Sequence, residues 1–144
     1  MARLVDLSKK PYNLNPNQIE WVELMIKGMT DEEKVGQLFT NLFFFGGDAF
    51  SGNNLSNKEI LEKYHIGGVR YMNGSPEDVQ GLINDLQSQT KIPLLVAANC
   101  DSGGDGAVKG GTYISSGAQS EASRDTWVPY HAGLVSAREE TALG

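Results

Sequence analysis

The sequence predicts an α/β fold with about three parallel strands joined by crossover helices, and three observations carry that prediction. Strand-like and helix-like segments alternate from about Leu38 onward. Helix starts are marked by capping patterns, Thr30-Asp31-Glu32-Glu33 and Ser56-Asn57-Lys58-Glu59. Each strand-like run is followed by a break or loop rich in Gly, Asn or Asp. A parallel strand needs neighbours on both sides and helices on both faces. Three strands make an incomplete sheet with exposed edges. The βα pattern is still running at Gly144, so the chain reads as a piece of a larger object.

Residues 1–15 read as an irregular lead-in. Pro16 opens a helix from Asn17 to about Lys27, with Ile19, Val22, Leu24, Met25 and Ile26 as its apolar face and Gly28 as its stop. Thr30 caps a short helix that leads into Val35–Phe45, strand-like after Gln37, and Gly46-Gly47 ends the run. Ser56 caps a helix through Tyr64, and Gly67–Tyr71 is a short strand. Ser75 caps a helix with Pro76 at its first position, and Val79, Leu82, Ile83 and Leu86 recur on one face. Ile92–Ala98 is the clearest buried strand. Asn99–Gly117 is expected as a long Gly/Ser-rich loop, and Glu121–Leu143 as a helix kinked or broken at Pro129.

The chain has 144 residues, 40% hydrophobic and 21% charged, enough for one globular domain with a sizeable core. A net charge of −6, with 12 scattered Lys and Arg, argues against nucleic acid or an anionic membrane as partner. No apolar run approaches the length of a membrane span. Met1–Lys10 carries no export signal and Cys100 is the lone cysteine. A cytoplasmic location is therefore expected, with secretion after loss of a leader left open.

Function is expected in the loops. In parallel βα folds, sites form at the C-terminal ends of strands. The relevant loops are Gly46–Leu55, Met72–Ser75 and Asn99–Gly117, whose composition suits hydrogen bonding to a polyhydroxylated ligand. Asp101 and Asp105 lie four apart in a Gly-rich loop. An acid/base pair there is the minor reading, since such carboxylates more often form turns or caps. His65 reads as structural packing. His131 has no Cys or second His near it at metal-ligand spacing, so no metal and no other cofactor is expected. Cys100 has no sequence-near His to activate it. Gly103-Gly104-Asp105-Gly106 lacks the GK[ST] ending and the spaced glycines of nucleotide loops. Arg70, ending a strand, reads equally as a site residue or as a member of a structural pair.

Several of these segments resemble a known family. Met29-Thr30-Asp31-Glu32-Glu33-Lys34-Val35-Gly36-Gln37-Leu38 is similar to the "MTLEEKVGQL" opening of glycoside hydrolase family 3. Ile66-Gly67-Gly68-Val69 resembles its "IGGV" second strand, and Ile92-Pro93-Leu94-Leu95-Val96-Ala97 its "IPLLIA" third strand. Ala132–Gly144 resembles the helix before its fourth strand. The match covers roughly residues 16–144. It implies the N-terminal portion of a (β/α)8 (TIM) barrel and an enzyme hydrolysing β-linked sugars with retention.

The loop after the family's third strand reads "DQEGG", or "NLEAGG" in a subgroup related to β-N-acetylhexosaminidases. Here it is Asn99-Cys100-Asp101-Ser102-Gly103-Gly104. By resemblance Asn99 and Asp101 are the candidates for holding sugar hydroxyls, and which of the two does so stays open. Gly111-Thr112 resembles the "GT" that follows. The loop favours a β-N-acetylhexosaminide, with a β-glucoside the alternative.

Retaining hydrolysis needs two carboxyl groups about 5–5.5 Å apart. In the family the nucleophilic Asp and the acid/base come later in sequence. No catalytic residue is therefore expected among these 144, and the chain alone is expected to be inactive. The different reading is a non-catalytic half-barrel or carbohydrate-binding remnant that buries its open edge by forming a homo-oligomer.

Overall fold

A computed structural model describes residues 5–43 and 55–144. Val5–Asn15 forms turns without helix or strand. The elements that follow are α1 (Pro16–Gly28), α2 (Asp31–Gly36), β1 (Thr40–Phe43), α3 (Asn57–Tyr64), β2 (Gly68–Tyr71), α4 (Pro76–Ser88) and β3 (Leu95–Ala97). A short 3-10 turn (Gly104–Gly106), α5 (Gly117–Ser123) and α6 (Trp127–Leu143) complete the order. The strands form one parallel sheet in the order β1-β2-β3.

Both anticipated capping boxes form. Thr30 Oγ1 accepts from Glu33 N at 3.2 Å while Thr30 N donates back to Glu33 Oε2 at 2.7 Å. Ser56 and Glu59 repeat the exchange at 3.2 and 2.8 Å. Each box satisfies two N–H groups that the first helical turn leaves without partners. Asn15 with Gln18 and Ser116 with Gln119 form two more.

The family-like segments meet at the entry to the sheet. Gln37 Nε2 donates to His65 O at 2.8 Å, and Gly67 N donates to Phe39 O at 3.1 Å. A Cβ on Gly67 would lie 2.2 Å from Gln37 O, so only glycine lets the two backbones approach this closely. His65 closes α3 in the left-handed region with φ 51°, which makes it a helix cap, in keeping with a structural role.

The helices cover one face of the sheet. Ile60 and Leu61 of α3, Val79, Leu82, Ile83 and Leu86 of α4, and Leu143 of α6 pack with Val69, Tyr71 and Leu94 into one core. The four α4 residues are those that the helical spacing placed on one face. The opposite face is open: Leu95 is 79% exposed, and Thr40, Arg70 and Ala97 are exposed.

That openness corrects the reading of Ile92–Ala98 as the clearest buried strand. Only Leu95–Ala97 pairs as strand, and Leu94 is its buried neighbour. Pro93 has no N–H to donate. The N–H and carbonyl of Leu94 are taken by the Gln87 side chain at 2.8 and 3.0 Å. Pairing therefore begins with Leu95 N, which donates to Gly67 O at 3.0 Å.

Three further expectations shift. On α1, Ile19, Val22 and Met25 are half-buried, but Leu24 and Ile26 face outward. The loop after β3 ends at Ser116 and is not uniformly exposed, since Ala107 and Val108 enter the core. The terminal helical region divides at Arg124, held at φ 52°. Pro129 lies in the first turn of α6, where its missing N–H costs nothing.

Candidate functional site

Two of the three loops singled out in the sequence come together at the C-terminal edge of the sheet, and most of the third, Gly46–Leu55, lies outside the described residues. Asn73 Nδ2 donates to Asp105 O at 2.8 Å, and Lys109 N donates to Gly74 O at 2.8 Å. The loop after β2 is thereby tied to the loop after β3.

Strand alternation persists beyond the last strand residue. Ala98 and Cys100 are part-buried and pack against the core, whereas Asn99 and Asp101 are exposed. Successive side chains on an extended chain point to opposite sides. Asn99 and Asp101 therefore share a side, and Asn99 Nδ2 donates to Asp101 Oδ2 at 3.0 Å. An amide beside a carboxylate offers N–H donors and oxygen acceptors within one hydrogen-bond length. Adjacent sugar hydroxyls, each donor and acceptor, match such a pair.

The loop is braced from beneath by α6. Cys100 Sγ donates to Glu140 Oε1 at 2.6 Å. Burial, and then the hydrogen bond and charge of Glu140, push the thiol up to about 12. It stays protonated at neutral pH and is no nucleophile. Burial, with Glu140 next, also pushes Tyr71 up to about 12. Thr112 N donates to Glu139 Oε2 at 2.9 Å, and its hydroxyl donates to Glu139 Oε1. Those two bonds hold the Glu139 carboxyl below its ordinary value. Gly103 has φ 137°, and a Cβ there would lie 2.1 Å from Thr112 O, so this turn excludes any side chain.

A cavity of about 900 Å³ opens beside Asp101, with Cys100, Ser115, Ser120, Glu121, Arg124 and Asp125 also in its wall and Asn99 outside it. Asp105 is not in that wall, and its Oδ1 is buried without a hydrogen-bond partner. Asp101 is exposed, whereas Asp105 is half-buried with one oxygen out of reach of solvent, so the two do not form an open acid/base pair. Arg70 is exposed, pairs in register with Ala97, and makes no ion pair among the described residues. Of its two sequence readings, the structural pair is not seen among the described residues. His131 stacks on Trp127 at 3.9 Å, with Nδ1 3.0 Å from Trp127 O, away from the loop. Among the described residues no group of three or more His, Cys, Asp or Glu is placed to hold a metal. No helix among them is long and apolar enough to cross a membrane.

The roles of Glu139 and Glu140 escaped sequence reading. They lie 27 residues from Thr112 and 40 from Cys100, and nothing local announces contacts across such distances.

The sheet and its loop site define the opening portion of a (β/α)8 barrel, with helices on the outside, the future interior open, and polar side chains where strands end. The comparisons agree with that class. A β-N-acetylglucosaminidase/β-glucosidase of Cellulomonas fimi is 29% identical over 141 residues, covering 98% of this chain and 24% of the relative. The structure of the β-glucoside phosphorylase BglX bound to 2FGlc is 32% identical with a TM-score of 0.81, covering 96% of this chain and 24% of that one. A second BglX structure gives 32% identity and a TM-score of 0.61, over 75% of this chain and 18% of that one. No family model matches the chain. The chain thus spans about a quarter of the relatives it matches. Over nearly its whole length it is similar to a portion of enzymes of glycoside hydrolase family 3, as its motifs indicated.

Proposed function

We propose that these 144 residues form the sugar-cradling part of a retaining enzyme that cleaves terminal β-linked sugars, a β-N-acetylhexosaminide before a β-glucoside. The carrying observation is the Asn99–Asp101 pair, joined at 3.0 Å at the C-terminal end of β3 and exposed, with Asp101 in the wall of an open cavity. The names of the relatives, one acting on N-acetylglucosaminides and glucosides and one on glucosides, support the substrate class. Asn99 and Asp101 hold hydroxyls, and the nucleophile and the acid/base that the family resemblance assigns come later in sequence, so the chain alone binds sugar without cleaving it. Residues 1–15 act as a lead-in, and residues 16–144 as the partial catalytic domain.

A second reading has its own observation. Leu38, Phe39 and Leu95 are 83%, 60% and 79% exposed, and an apolar groove of about 700 Å³ runs along the free edge of β1. In that reading the chain is a non-catalytic half-barrel that self-associates over these exposed apolar surfaces.

The test is a titration of the purified chain with N-acetylglucosamine and glucose by NMR. Chromogenic β-N-acetylglucosaminide and β-glucoside assays run alongside, with and without inorganic phosphate, because one relative is a phosphorylase. Binding lost in Asn99→Ala and Asp101→Ala, without turnover, is the expected result. Turnover by the chain overturns its inactivity; no binding to either sugar leaves only the self-associating reading.

A further inference from the structure

We propose that Glu140 is a positioning residue: by accepting the Cys100 thiol it pins the middle of the Asn99-Cys100-Asp101 tripeptide toward α6 and so turns both flanking polar side chains to the open face. The proposal rests, for its sugar-binding arm alone, on the reading of Asn99 and Asp101 as the hydroxyl holders.

Three observations carry it. The Cys100–Glu140 bond, at 2.6 Å, is the one side-chain hydrogen bond recorded between the tripeptide and the helix behind it. Exposure alternates through 98–101, with Cys100 part-buried between exposed neighbours, so one pinned side chain sets the direction of the next on either side. Glu140 is itself fixed, because α6 is anchored by Leu143 in the core and by Glu139 on Thr112. Apart from the packing of Ala98 and Cys100, the side chains of Asn99 and Asp101 hydrogen-bond only each other among the described residues. Two exposed side chains hydrogen-bonded to one another hold a relative geometry, but not a direction relative to the sheet.

A double-mutant cycle on the 144-residue chain tests it, using Cys100→Ala, Glu140→Ala and the double variant, with Cys100→Ser and Glu140→Gln as conservative partners that keep a donor and an acceptor. Two readouts are taken: the side-chain amide resonances of Asn99 by NMR, which need no ligand, and the affinity for N-acetylglucosamine or glucose. The alanine variants should move both Asn99 side-chain amide proton signals toward their free-amide positions and weaken sugar binding about tenfold, the scale of one lost hydrogen bond. The double variant should be no worse than either single change, and the serine and glutamine variants should restore most of both readouts. A general packing defect would instead give additive losses that the conservative variants leave uncorrected. Additive losses, or an unmoved Asn99 signal, overturn the pin. If the Asn99 signals show the coupling while no sugar binds, the pin stands and the proposed function falls. If sugar binds and no coupling appears, the pin falls and the function stands.

Discussion

From Ala98 to Asp101 part-buried and exposed side chains alternate, and Cys100, on the part-buried side, is raised together with Tyr71. Cys100 and Tyr71 both lose their protons only near pH 12, against ordinary values of 9.0 and 10.0. The folded chain thus holds protons that the unfolded chain has released, and the stability these two groups contribute is full below about pH 9 and declines between 9 and 12. Chemical denaturation across this window should show the decline, and in Cys100→Ser its onset should move up toward the tyrosine value. Glu139 behaves in the other sense. Its carboxyl is held below the ordinary value by the Thr112 hydroxyl and N–H, so its contribution is present above that value and disappears as pH falls through the depressed one. In Thr112→Ala the hydroxyl bond is lost and the N–H bond kept. An NMR titration should therefore find the Glu139 carboxyl raised part of the way back.

At the scale of elements, local chemistry and backbone approach make separable contributions. Ser56→Ala removes one half of a capping box and should destabilise the chain by about 1 kcal/mol. Gly67→Ala forces a Cβ to 2.2 Å from the Gln37 carbonyl oxygen, with backbone rather than a flexible side chain on the other side. Its cost in thermal or urea unfolding should exceed that of Ser56→Ala, and an equal or smaller cost would mean that the α2–β2 junction yields easily. The caps, the α4 stripe of Val79, Leu82, Ile83 and Leu86, and β2 were all legible in sequence because each is written in residues a few positions apart. The length of β3 was not. It depends on Gln87, in the preceding helix, occupying the backbone of Leu94, and hydrophobicity alone extended the strand back to Ile92. The α5–α6 break was also misplaced. Pro129 attracted the reading, while the chain turns at Arg124 in a left-handed conformation that no residue type there advertises.

For the molecule as a whole, the decisive fact is a sheet covered on one face only. An exposed Leu95, with Leu38 and Phe39 at the strand entry, is an expensive surface to leave in water. Light scattering on the purified chain should show a mass that rises with concentration, and Leu95→Glu should return it to the monomer without loss of thermal stability, since that side chain packs against nothing in the core. A concentration-independent monomer would remove the self-associating reading and leave the sugar-binding one in place.

The sequence by itself determined the class of fold, the order of the elements, the resemblance to a glycosidase barrel and the tripeptide on which the candidate site stands. These follow from hydrophobic period, caps and motifs, all of which act over a few residues. Only the tertiary structure decided that Asn99 and Asp101 face the same way, that Asp105 is half-buried while Asp101 is exposed, and that Glu139 and Glu140 brace the loop from α6. Those outcomes depend on which distant segments the sheet brings within hydrogen-bond reach, a distance that no spacing along the chain encodes.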